Sequence, residues 1–263
     1  MRGNIFGLVV ALVFGVLVLP GSARATTEVD LALVLAVDIS NSMDLEEQEL
    51  QRSGFVEAFR SPLVHEAIRG GTLGRIAVTY MEWAGTGRQT VVVSWMTIEG
   101  AEGAVEFAEQ LARAPIQRGP RTSISGAIDF GVKLLDESGV EPLRRVIDVS
   151  GDGANNQGRP VTLAREAALA RDITINGLPI MLKRANSFWD VAKLDVYYRD
   201  CVIGGPGAFM IPVRERQHFA EAIKTKIIRE IAAVDPGSRV VPVQAEGPAD
   251  CLAGELRDWD MRR

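Results

Sequence analysis

The stretch that most constrains this chain is residues 29–44, V-D-L-A-L-V-L-A-V-D-I-S-N-S-M-D. Residues 31–37 are a near-continuous apolar run. Such a run suits a strand buried on both faces, as in the middle of a parallel sheet. Where it stops, Asp38, Ser40 and Ser42 follow at spacing two. A helix is expected to begin at Leu45. A carboxylate and two hydroxyls at the carboxyl end of a central strand form a candidate site for a hard cation. Taken alone, the same residues are ordinary helix N-cap chemistry. The rest of the chain has to decide between the two readings.

Further strands are expected over residues 75–83, 90–95, 145–149, 173–182 and 208–213. Helices are expected over 45–60, 63–69, 101–113, 125–138, 160–171, 187–199 and 217–234. The second and third strands are separated by a turn holding Gly85 and Gly87. That is too short for a crossover helix, so the pair should be antiparallel. The pattern predicts the α/β class: a doubly wound, mostly parallel six-stranded sheet, helices on both faces, and one antiparallel edge strand. Ligands of such sheets bind outside the carboxyl ends of the strands. Three polar loops leave those ends: residues 38–42, the loop that reaches Thr122, and the loop that holds Asp152.

Residues 1–25 read as an export signal. Arg2 precedes an apolar stretch at 6–19, Pro20-Gly21-Ser22 breaks it, and Ala23-Arg24-Ala25 forms an A-x-A cleavage site. The protein is therefore expected to be periplasmic or secreted. Residues 26–234 read as one domain, and 235–263 as a polar, irregular tail. No later segment is long and apolar enough to span a membrane. The formal net charge is −5, and the leader takes two Arg and no acid with it. A mildly acidic chain without a basic cluster argues against nucleic acid. The two cysteines, Cys201 and Cys251, could pair in an exported protein. The other reading is one buried thiol and one tail thiol, because sequence does not supply a Cα separation. Neither His65 nor His218 has partners at metal-ligand or triad spacing.

Asp38, Ser40, Ser42, Thr122 and Asp152 together offer two carboxylates and three hydroxyls. Mg²⁺ typically takes one or two carboxylates and keeps several waters. The set therefore favours Mg²⁺, with Mn²⁺ or Ca²⁺ as alternatives. An open position on the cation could accept a carboxylate from a protein partner. That chemistry is adhesion, not turnover, so an enzyme is not expected.

Asp38-Ile39-Ser40-Asn41-Ser42 resembles the D-x-S-x-S motif of von Willebrand factor A (vWA) domains. Their metal-ion-dependent adhesion site adds a Thr from a second loop and an Asp from a third. Thr122, in R-T-S-I-S-G-A-I, and Asp152, in V-S-G-D-G, match those positions. One departure is Ser150-Gly151, where the family more often has a residue such as Thr directly before its Asp. More narrowly, the chain resembles an exported bacterial group of unknown function with this fold (DUF1194-like). Its marks are E-W after the second strand, here Glu82-Trp83, and C-V-I-G-G-P-G-A-F, here residues 201–209. Glu82 and Trp83 close a strand, so they are candidates for the rim of the site. Two other readings compete. One is a metal-dependent hydrolase, such as a phosphatase with Asp38 as nucleophile, although Ser40 stands where a general acid is usual. The other is a structural domain with a degenerate metal site.

Overall fold

The structure is a computed structural model and describes residues 26–182, 193–232 and 247–255. The expected leader lies outside these residues, as do part of the expected helix at 187–199 and much of the tail.

β1 (Thr27–Val29) precedes β2 (Leu31–Asp38), the apolar run of the sequence. All eight residues of β2 are buried, and it pairs in parallel with a strand on each side. Side chains alternate across a strand, and β2 uses this to serve two cores. Leu31, Leu33, Leu35 and Val37 enter one apolar cluster, while Ala32, Val34 and Ala36 enter the other. Each fully buried Leu or Val contributes about 1.5–3 kcal/mol relative to exposure.

Helices α1 (Leu45–Arg60) and α2 (Pro62–Arg69) lead to β3 (Ile76–Trp83) and β4 (Gln89–Ile98). α3 (Ala101–Arg113) and α4 (Ile124–Asp136) follow, then β5 (Val140–Pro142), β6 (Arg145–Gly151), α5 (Val161–Leu169) and β7 (Ile173–Pro179). A short α6 (Leu194–Tyr197) runs into a π-helical turn, Tyr198–Val202, and α7 (Phe219–Ala232) is the last long helix. The main sheet has the order β4-β3-β2-β6-β7. Only the β3/β4 pair is antiparallel. α1, α3 and α7 supply the core on one face, and α4 and α5 on the other. The strand order reverses at β2, so the crevice beside its carboxyl end is the topological switch point.

The sheet has five strands among the described residues, not the expected six. The segment 208–213 makes only single bridges, Gly177 with Met210 and Ile180 with Val213. Pro212 cannot donate to a ladder, and Gly205 and Gly207 take positive φ just before it. A second, two-stranded sheet joins β1 to β5 in parallel. Those three-residue strands are too short to carry a period.

Candidate metal centre

The loop after β2 is held from both sides before any ligand is considered. Asp44 caps α1: its Oδ1 accepts from Glu47 N–H at 2.8 Å, and its own N–H donates to Glu47 Oε2 at 2.9 Å. This reciprocal box fixes where the loop ends. From within α1, the Gln51 amide donates to the carbonyl of Asp38 at 3.1 Å. From the second loop, Arg118 donates to the carbonyls of Asn41 and Met43 at 3.0 and 2.5 Å. Backbone bonds between Ile39, Asn41 and Gly119 add a parallel bridge at Ser40.

Within this frame the oxygens converge. Asp38 is fully buried, and its Oδ1 accepts from Ser40 N–H at 2.7 Å. Ser42 donates its hydroxyl proton to Asp152 Oδ1 at 2.6 Å. That leaves Ser40 as the donor in the 2.8 Å contact between the two serine hydroxyls. Thr122 is delivered by Arg121, whose φ of 71° is unusual for a side-chain-bearing residue. Its N–H donates to Asn156 Oδ1 at 2.9 Å, and its carbonyl accepts from Asn156 N–H at 2.9 Å. A Cβ on Gly153, the neighbour of Asp152, would lie 3.8 Å from Thr122 Oγ1. The five oxygen-bearing side chains thus share one corner of the sheet's carboxyl edge.

The electrostatics suit a cation. Burial, and then the Asp152 carboxylate, push Asp38 well above the usual carboxylate range, against the hydrogen bonds from Ser40. Asp38 Oδ2 is buried with no hydrogen-bond partner among the described residues. An orphaned carboxylate oxygen beside a second carboxylate is a costly arrangement that a hard cation would relieve. The donor set of two carboxylates and three hydroxyls therefore fits a hard, oxygen-seeking cation. No group of three or more His, Cys, Asp or Glu able to hold a metal occurs among the described residues.

The two rim candidates are buried at the end of β3, where Trp83 stands opposite Asp38 on the neighbouring strand. Glu82 is buried and forms an ion pair with Arg52 of α1, on the opposite face of β3 from Trp83. Arg52 also donates to the carbonyls of Leu111 and Ala114 at 3.0 Å, so Glu82 is the counter-ion of an interior arginine rather than a rim acid. Trp83 is wholly buried in the cluster beneath α4. Both were drawn inward because β3 is covered on both faces. Cys201 and Cys251 are joined by a disulfide, with Cα atoms 5.5 Å apart. Gln51, Arg118 and Asn156 hold the loops in place, and none of them stands in a motif. The spacing of Asn156 after Asp152 carries no signal without the Thr122 loop beside it.

A family model described as "Protein of unknown function (DUF1194)" matches residues 28–235. The chain belongs to that family. Comparison with curated proteins found no match. Among solved structures, the DUF1194 chain is similar to the pilus adhesin SpaC from Lactobacillus rhamnosus GG in its open conformation. The identity is 13% and the TM-score 0.55, over 79% of this chain and 31% of that one. It is similar to proximal thread matrix protein 1 from the mussel byssus, in a form with a zinc-occupied MIDAS motif. There the identity is 10% and the TM-score 0.54, over 79% and 49% of the two chains. A von Willebrand factor type A protein from Catenulispora acidiphila gives 14% identity and a TM-score of 0.53, over 77% and 43%. This chain spans from 31% to 49% of the length of those proteins. At such identities the likeness shows the fold, which is that of a vWA domain.

Proposed function

We propose that this DUF1194 protein is an exported, non-enzymatic vWA-like binding module. On this reading it works in the periplasm or outside the cell. Asp38, Ser40, Ser42, Thr122 and Asp152 hold a divalent cation, Mg²⁺ by preference and Mn²⁺ or Ca²⁺ as alternatives. The bound cation supplies positive charge with a coordination position open to a carboxylate oxygen of a protein partner. The observation that carries the reading is the orphaned Asp38 Oδ2, buried beside a second carboxylate and three hydroxyls at the switch point. The byssus protein, with its zinc-occupied MIDAS motif on the same fold, adds support.

Each residue has a separable task. Asp38 places a buried carboxylate whose charge a cation would balance. Ser40 orients it through its N–H. Ser42 ties the first loop to the third through Asp152. Thr122 brings a hydroxyl from the second loop. Asp152 is the less buried of the two carboxylates. The hydrolase alternative gains no support: the residue two beyond Asp38 is Ser40, whose hydroxyl is engaged with Ser42.

The test uses an array of synthetic peptides that differ by single Asp or Glu residues. The protein should bind acid-bearing members in Mg²⁺, lose them in chelator, and lose them as Asp38→Ala. Binding that survives chelator would end the adhesion reading.

A further inference from the structure

The tail reads from sequence as an irregular appendage, yet residues 247–255 pack onto the loop that follows Asp152. Cys251 is bonded to Cys201, which lies fully buried in the π-helical turn. Ala249 N–H donates to Asp200 Oδ2 at 2.8 Å, and Ala249 and Cys251 pack on the core beneath α4 and α5. Gly254 is pressed so closely on the third loop that a Cβ there would fall 2.0 Å from the Asn155 carbonyl oxygen. Glu255 Oε1 accepts from Asn155 Nδ2 at 2.8 Å.

Asn155 is where this segment meets the site. It is fully buried and three residues after Asp152. Its Oδ1 accepts from Ser125 N–H at 3.0 Å, in the first turn of α4 just beyond Thr122. Its Nδ2 also donates to the Arg159 carbonyl at 3.2 Å, and its N–H donates to the Tyr197 hydroxyl at 3.2 Å. The next residue, Asn156, holds the backbone of Thr122 from both directions. One asparagine thus connects the tail, the loop of Asp152 and the loop of Thr122.

We propose that residues 247–255 are a strap, stapled by the Cys201/Cys251 disulfide, that sets the spacing of Asp152 and Thr122 through Glu255 and Asn155. Cation affinity is then linked to the oxidation state of the disulfide. A dithiol reductant would cleave the S–S bond with two electrons and two protons, giving two thiols while the reductant closes to its own disulfide. The freed strap releases Glu255 from Asn155, and the third loop loses one of its anchors. Asn155 and Glu255 are positioning residues, since neither is among the five cation-holding side chains. The proposal rests on the metal-site reading above.

The experiment titrates Mn²⁺ into the mature protein in four forms: oxidised wild type, wild type reduced with dithiothreitol and alkylated, Glu255→Ala, and Glu255→Gln. Amide hydrogen exchange of residues 152–157 is followed in the same samples without metal. Reduction and Glu255→Ala should each weaken Mn²⁺ binding about ten-fold and speed exchange in that loop. Glu255→Gln should restore both, because its amide oxygen still accepts from Asn155. A staple that acts on stability alone would lower the Tm and leave affinity and loop exchange unchanged below it. Equal affinity and equal exchange in oxidised and reduced protein overturn the strap and leave the metal site standing. No uptake by oxidised wild type overturns the metal site, and the strap's link to it falls with it.

Discussion

Ser42 donates its hydroxyl to Asp152 Oδ1 at 2.6 Å, joining two loops whose residues are 110 positions apart in the chain. The bond exists because β2 and β6 are parallel neighbours, with Val37 opposite Ser150. Parallel strands end at the same edge of a sheet, so their following loops must meet there.

Asp38→Asn should separate stability from binding. In the cation-free fold, Asp38 is held above its ordinary range by burial and by Asp152. A raised carboxylate pKa means the folded state holds its proton more tightly than the unfolded state. Stability from this group therefore falls as pH rises from the ordinary carboxylate value toward the folded one. Asn carries no such charge. Thermal melts at neutral pH should find Asp38→Asn no less stable than wild type in chelator, and unresponsive to Mg²⁺. Wild type at a hundred times its Kd should gain about 2.7 kcal/mol.

Gly151→Ala should act on the same carboxylate from behind. A Cβ at residue 151 would sit 2.8 Å from Asp38 Oδ2 and 3.1 Å from the Tyr198 hydroxyl. Neither neighbour can retreat, as both are buried. Overpacking of this kind costs about 1–3 kcal/mol. Urea unfolding should show that loss, and Mn²⁺ titration should show weakened binding.

The main elements around this edge were legible in the sequence because their signals are local. An eight-residue strand buried on both faces leaves an unbroken apolar run, and three polar loops announce themselves by composition. What stayed hidden depends on partners far along the chain. Glu82 reads as a strand-end acid until Arg52 is seen beneath it. β1 and β5 have three residues each, too few for a pattern. Residues 208–213 read as a strand, but Pro212 and the glycines before it reduce the segment to isolated bridges. Asn155 is one polar loop residue among several until Glu255 is placed against it.

The Arg52/Glu82 pair gives a test of burial against rim. Glu82→Ala leaves a guanidinium inside the protein without its counter-ion, which should cost about 3–5 kcal/mol. Replacing both, as Arg52→Met with Glu82→Leu, should recover most of that in urea unfolding. In folded protein, Glu82→Gln should leave Mn²⁺ affinity unchanged.

A second buried ionic cluster sets a pH dependence of its own. Lys226 Nζ lies 2.9 Å from Asp148 and 2.5 Å from Glu230. Burial lifts Asp148 to about 6 despite the pull of Lys226. Its folded pKa exceeds the unfolded one, so its contribution to stability declines as pH rises from about 4 to about 6. Asp148→Asn should lack that decline. The stability difference between variant and wild type should shift by up to about 3 kcal/mol across the window. Lys226, raised by Asp148 and Glu230 against the effect of burial, adds stability that is lost only as pH climbs above its ordinary range. Lys226→Met should destabilise at neutral pH by about 3–5 kcal/mol, as it strands two buried acids.

The most direct measurement is isothermal titration of Mg²⁺ and Mn²⁺ into the wild-type protein and into Asp38→Ala. A saturable one-to-one heat in wild type, absent from Asp38→Ala at equal folded content by circular dichroism, is the predicted result. Equal heats in the two proteins, or no heat in either, would contradict a cation held by Asp38, Ser40, Ser42, Thr122 and Asp152.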